Sequence, residues 1–214
     1  MAVSIVILGP QFSTFVRSVQ LLCEEKGVEY TVSTEYQGHR LVIGDEVHRS
    51  LHPFVKVPVV LINDEPFYET ASVLRYLDAI LPTPTFQPLE LSARAKVDQW
   101  CSVVGSYIDK ALVRNVLLEF AFPKGEGGEV RMDIVKAHLP YLNYALSVLK
   151  QQLIGKDYLC GNQVSLADFV AAPMLCYLCD TPLKAQCLPE GSLLMDYVER
   201  LQTREAVQRV CVKL

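Results

Sequence analysis

Ser13 and Thr14 stand where a helical pattern begins, just past the Gly9-Pro10 break that ends the apolar run 3–8. A serine at such a place caps the helix by accepting one of its first free N–H groups. Alternatively, it donates its own proton to an anion held at the positive end of the helix dipole. Glu69-Thr70, at a strand–helix junction, poses the same choice. It is an N-terminal cap, or else the helix start and the Thr70 hydroxyl bind a carboxylate while Glu69 binds an ammonium, together reading an amino-acid head group. Val57-Pro58 opens a run of strand-like residues, where the ring removes a ladder hydrogen bond. From the residues alone a trans bond is favoured there over a cis bond holding a turn at a ligand site.

Other candidates carry less. His48 and His52 are four apart, a metal-ligand spacing on a helix, but no third ligand accompanies them and no metal is expected. Cys176 and Cys179 form a CxxC deep inside a helical stretch, away from the strand-to-helix junction where a redox motif gains a lowered thiol pKa. They read as small apolar side chains on one face. Trp100, Val104, Tyr107, Ile108 and Ala111 mark a helical stripe that is core, unless an interdomain cleft makes part of it a wall.

The elements that must position these residues follow from periodicity. Strand 3–8, helix 13–26 closed by Gly27, strand 28–32, a polar irregular link 36–51, a hairpin through Asn63-Asp64-Glu65-Pro66 and helix 69–81 give a β-α-β, β-β-α order. The proline-rich stretch 81–88 reads as an interdomain linker. Beyond it, segments 88–121, 129–154, 165–180 and 192–212 are helical by period. In 162–169, Ser165 caps, Asp168 answers it three residues later and Val164 can staple to Phe169, a folding signal. The expected fold is a small α/β domain over 1–80, the linker 81–88 and an all-helical domain over 89–214.

Composition narrows the function classes. The 214 residues are half hydrophobic with a net charge of −4, enough to bury a core and without the basic field that draws nucleic acid or anionic membranes. No apolar run approaches bilayer-spanning length. The N-terminus lacks a basic leader and reads as a strand, so a cytoplasmic protein is expected. Seven cysteines, an odd number, do not suggest a disulfide framework.

Taken together, "HPFVKVPVV" followed by "FYETASVLRYL", and "GNQVSLADF" further on, resemble the cytosolic glutathione transferase family. "FSTFVRSV", "ARAKVDQW" and "DYLCGNQVSLADF" are most similar to its serine-type phi class, while "EKGVEY" fits the tau pattern. The resemblance implies a thioredoxin-like N-terminal domain that binds glutathione and a helical domain that supplies an apolar second-substrate site. It implies that Ser13 donates a hydrogen bond to the glutathione sulfur, that Arg17 adds positive field, and that Thr14 is out of register for the thiolate. Val57, exposed by a cis Pro58, would pair its main chain with the cysteinyl part of the peptide; Glu69 and Thr70 would hold the γ-glutamyl end, with Lys56 nearby.

The family's basic residue for the glycyl carboxylate falls at Ile43 or Gly44, where nothing basic stands; either His39, Arg40, His48 or Arg49 substitutes, or the affinity for glutathione is weaker, or the co-substrate is not plain glutathione. Phe12, Phe15 and Tyr107 would wall the electrophile site. The implied activity is conjugation of glutathione to small apolar electrophiles, reduction of organic hydroperoxides, or both, a detoxification chemistry. The resemblance also implies glutathione as co-substrate, no cofactor and a homodimer. A mixed-disulfide reductase would need a cysteine where Ser13 sits. The alternative from another class is a non-catalytic binding or scaffold protein on the same fold.

Overall fold

A computed structural model describes residues 3–212. Strand β1 (Ile5–Leu8) runs parallel to β2 (Thr31–Ser33), with Val6 opposite Thr31, and antiparallel to β5 (Val59–Ile62), with Leu8 opposite Val59. Strand β6 (Glu65–Phe67) closes the hairpin with β5, giving the sheet order β2-β1-β5-β6. Asn63 and Asp64 turn it with φ of 50° and 67°, the left-handed pair a two-residue hairpin loop needs.

Helix α1 (Thr14–Lys26) crosses from β1 to β2 and ends at Gly27, which takes φ 61°. Gly27 N–H bonds to Glu24 O and Val28 N–H to Cys23 O, the double bond of a Schellman stop. That stop is why the second strand begins at Thr31 and not at the expected Val28: Val28 is still engaged with the helix end. Val16, Val19, Leu22 and Cys23 are all buried as the period requires. Arg17, Ser18 and Leu21 are buried too, because helical neighbours cover the side that a two-layer domain would leave wet.

The link 36–51 is more ordered than its composition suggests. Strands β3 (Glu35–Tyr36) and β4 (His39–Arg40) form a hairpin, and α2 (Glu46–Leu51) is capped by Asp45, whose side chain accepts from His48 N–H at 2.7 Å. Leu8, Leu51, Val59 and Leu61 make a small core under this link, on the opposite face of the sheet from the main one.

Helix α3 (Thr70–Ile80) packs beside α1. Between it and the next helix the chain is pinned rather than slack. Asp78 accepts from Thr85 Oγ1 (2.9 Å), Phe86 N–H (3.0 Å) and Gln87 Nε2 (3.3 Å), and pairs with buried Lys26 at 2.8 Å. The donors around this buried carboxylate offset its desolvation.

The long helical stretch has three parts: α4 (Leu91–Val103), wide π-type turns over Val104–Leu117, and α5 (Leu118–Ala121). Helix α6 (Met132–Gln152) packs against the wide turns. Helix α7 (Leu166–Cys179), buried along nearly all its length, is the centre of the molecule and touches α1, α3, α4 and the wide turns. A short α8 (Lys184–Cys187) follows, so Cys187 is helical and buried. The expected helix 192–212 is two, α9 (Leu193–Gln202) and α10 (Glu205–Val210), with the break at Thr203-Arg204. Among the described residues no helix is long and apolar enough to cross a membrane.

Candidate functional site

Gly9 decides how the site is assembled. It has φ 154°, and a Cβ there would lie 2.8 Å from Val16 and 3.2 Å from Val57. Only glycine lets the start of α1 approach the segment before β5 this closely. The result is a cleft of 1190 Å³ with Ser13 and Thr14 on one wall, Lys56, Val57 and Pro58 on the next, and Glu69 and Thr70 beside them.

Ser13 is the N-cap of α1, and its Oγ accepts from Val16 N–H at 3.4 Å, a long bond. Accepting leaves the hydroxyl proton uncommitted, and it has no acceptor among the described residues. The N–H groups of Thr14 and Phe15 are likewise without partners in this first turn. The arrangement can hold an anion and give it one O–H donor.

Val57-Pro58 is a cis peptide, so the trans expectation from the residues alone is overturned. Among the described residues nothing bonds to the Val57 main-chain N–H or carbonyl, because the ladder with β1 starts at Val59. Those two groups can take an extended peptide. Glu69 adopts φ 68° and ψ 98°, an uncommon conformation for a residue with a side chain. It carries the carboxylate into the cleft at the head of α3, where the N–H groups of Thr70 and Ala71 have no acceptor. An ammonium beside Glu69 and a carboxylate on that helix start are the chemistry these groups can hold.

The loop before Pro58 is fixed by His48, which is buried. Its Nδ1 accepts from Gly44 N–H (3.2 Å), so Nε2 donates to Lys56 O (3.0 Å). His48 is therefore a brace and not a ligand. His39 and Arg40 lie exposed on the β3–β4 hairpin and do not line the cleft. Arg49 Nε donates to Gly44 O. The residue that does reach the cleft is His52, whose spacing from His48 suggests only a metal ligand. Its Nδ1 accepts from Phe54 N–H at 3.2 Å and its ring lies 4.6 Å from that of Tyr68, leaving Nε2 to carry the proton as a donor. Burial pushes its pKa below the ordinary histidine value.

Phe12 and Phe15 line the cleft as expected from their positions, Phe12 meeting Phe122 edge-on at 5.5 Å. Tyr107 does not line it and is 64% exposed on the outer side of the wide turns, whereas Trp100, Val104, Ile108 and Ala111 of the same stripe are core. The wall is built instead by Cys101, Gly105, Asp109, Val113 and Leu117. The Cys101 thiol is pushed up to about 12 by burial, so it offers no thiolate at neutral pH. Arg17 is buried away from the cleft; its Nε donates to Gln11 O and its Nη2 to Val212 O, both at 3.0 Å, and its guanidinium lies 4.6 Å from the Tyr177 ring centroid.

A small α/β domain whose helix start faces a cis-proline loop is joined across a cleft to a helical domain. Residues 12–80 match the glutathione S-transferase N-terminal domain family and residues 111–205 the C-terminal one. The chain belongs to the glutathione S-transferase family and is an enzyme of it. It is 28% identical to glutathione S-transferase F10 of Arabidopsis thaliana over 97% of this chain and 96% of that one. Solved structures share the fold. A theta class enzyme from Xanthomonas axonopodis pv. citri, with glutathione bound, superposes with TM-score 0.84 at 23% identity, covering 99% of this chain and 98% of that one. Glutathione transferase F7 from Populus trichocarpa superposes with TM-score 0.82 at 19% identity, covering 96% and 97%.

Proposed function

We propose that this chain binds glutathione along Val57 and ionises its thiol through Ser13, for attack on electrophiles held in the cleft. The uncommitted Ser13 proton, at a helix start that faces the unpartnered Val57 main chain, carries the reading. A free thiol with a pKa of about 8.5 is mostly protonated at neutral pH. A helix N-terminus and one donated hydrogen bond stabilise the anion and lower that value. Serine acts as a donor here and not as a base. The cysteinyl N–H and C=O pair with Val57, Glu69 and the start of α3 take the γ-glutamyl ammonium and carboxylate, and His52 Nε2 with Lys56 takes the glycyl carboxylate in place of the missing basic residue. Phe12, Phe15, Val113, Leu117 and Phe122 receive the electrophile. The same thiolate reduces an organic hydroperoxide, two glutathiones giving the disulfide, an alcohol and water.

The test is the ultraviolet difference absorbance of bound glutathione across pH. A thiolate titrating well below that of free glutathione supports the reading; no binding at millimolar glutathione turns it toward a scaffold. Glu69→Gln keeps an acceptor but loses the charge, and KM for glutathione is expected to rise on the order of ten-fold. An unchanged KM in initial-rate assays would remove Glu69 from the ammonium site.

We further propose the division into 1–80, a linker at 81–88 and 89–214, and a homodimer. Exposed Phe54, Leu89, Leu91 and Tyr107 support an apolar contact surface. Sedimentation at micromolar concentration is expected to give twice the 24.0 kDa chain mass.

A further inference from the structure

Arg114 and Asp109 are five residues apart, and Arg114 Nε donates to Asp109 Oδ2 at 2.9 Å. In an α-helix the neighbours on one face are three or four apart, and residues five apart point away from each other. The pair exists because Val104–Leu117 is wound in wide turns, a geometry that tends to occur at functional sites. The two ends of the pair differ. Asp109 is 7% exposed, with Oδ1 buried and without a hydrogen-bond partner, while the Arg114 side chain is 49% exposed and lines the cleft that holds Ser13. The buried carboxylate uses only the Nε–H of the guanidinium. Among the described residues both Nη groups are without acceptors.

We infer that Arg114 binds an anionic group, a carboxylate by preference, on the second substrate, with Asp109 as the residue that positions it. An arginine fork with its terminal N–H groups free matches the two oxygens of a carboxylate, a geometry that a lysine does not offer. Lys56 and Arg114 are the two fully cationic residues lining the cleft among those described, and Lys56 stands on the glutathione side with Val57 and Pro58. Of the acidic residues there, Glu69 faces the head of α3, Asp109 is engaged by Arg114, and Asp180 lines the cleft near Thr181. The second-substrate site is thus apolar along Phe12, Phe15 and Phe122 and carries a built anion contact on its helical wall. The inference rests on the proposed use of the cleft for glutathione conjugation.

The experiment compares 1-chloro-2,4-dinitrobenzene with 4-chloro-3,5-dinitrobenzoate, one neutral and one bearing a carboxylate. In both the glutathione sulfur forms the C–S bond, the C–Cl bond breaks, chloride leaves with its electron pair and the thiol proton passes to solvent. The ratio of kcat/KM values, benzoate over neutral, is expected to fall at least about ten-fold in Arg114→Gln. It should be partly retained in Arg114→Lys and lowered in Asp109→Asn, where the fork loses its anchor. Calorimetric binding of the two product conjugates reads the same contact without turnover. Wild type is expected to bind the carboxylated conjugate the more tightly, and Arg114→Gln to bind both alike. If the ratio and the binding difference do not move in Arg114→Gln, the inference is overturned while glutathione conjugation stands. If wild type binds neither conjugate, nor glutathione itself, the reading of the cleft falls and this inference with it.

Discussion

Replacing Ser13 by alanine is expected to cut kcat/KM for glutathione conjugation by about ten- to hundred-fold and to leave the fold nearly as stable as before. The rate loss follows from one charge-assisted hydrogen bond to the sulfur, worth about 1.5–3 kcal/mol, which is about one to two units of thiol pKa. The thiolate absorbance of bound glutathione should therefore titrate closer to that of the free peptide in the variant. Stability is a separate matter, because Ser13 also caps α1. Its bond to Val16 N–H is 3.4 Å long, so losing it belongs at the low end of capping costs, about 0.5 kcal/mol. A urea midpoint that hardly moves, together with a large fall in rate, separates a catalytic serine from a cap. Were the rate to hold and the midpoint to drop, Ser13 would be a cap alone, and the scaffold reading would gain.

The opening of the chain was legible because its signals are local. The short continuous apolar runs of β1 and β5, the 3.6-residue stripe of α1, Gly27 past its end and Asn63-Asp64 at the hairpin each specify their own conformation. Ser13, Glu69 and Thr70 could be placed at helix starts for that reason. The helical wall of the cleft was not legible. Cys101, Gly105, Asp109, Val113 and Leu117 recur every four residues. Four residues of α-helix overshoot a full turn by about 40°, so such a row would spiral off the face within a few steps. The wide turns change which residues share a face, and residue types do not announce them. An α-helical stripe therefore put Tyr107 on the wall, where the structure turns it outward. His52 was hidden for a different reason. Its place depends on how the whole link before Pro58 folds, and the Gly44, Asp45 and Lys56 contacts of His48 that set this link are invisible in a one-dimensional pattern.

Asp168→Ala is expected to destabilise the protein by about 4 kcal/mol, near the upper end for a single substitution. Asp168 is fully buried in the first turn of α7 and gathers four donors. Leu159 N–H (2.9 Å) and Tyr197 Oη (2.7 Å) meet Oδ1; Ser165 N–H (2.8 Å) and Ser165 Oγ (2.7 Å) meet Oδ2. The reach back to Ser165 is the one that the spacing of these two residues predicts, but Leu159 and Tyr197 bring in the preceding loop and α9, which the local motif does not. Alanine leaves four donors facing an apolar interior, and each buried unsatisfied group costs about 1–3 kcal/mol before relaxation.

Asp168→Asn sharpens the test. Its oxygen can keep Leu159 and Tyr197, but its NH2 then confronts the N–H of Ser165, so about half of the loss is expected. Tyr197→Phe removes one of the four bonds and should cost about 1 kcal/mol. Urea denaturation is expected to rank the variants alanine, asparagine, phenylalanine, from least to most stable; an asparagine variant as stable as wild type would refute the acceptor-only role. The consequence reaches the cleft. Helix α7 packs on α1, and Tyr177 near its end donates to Phe12 O at 2.8 Å, so the end of α1 that carries Ser13 is held in place through the helix that Asp168 starts.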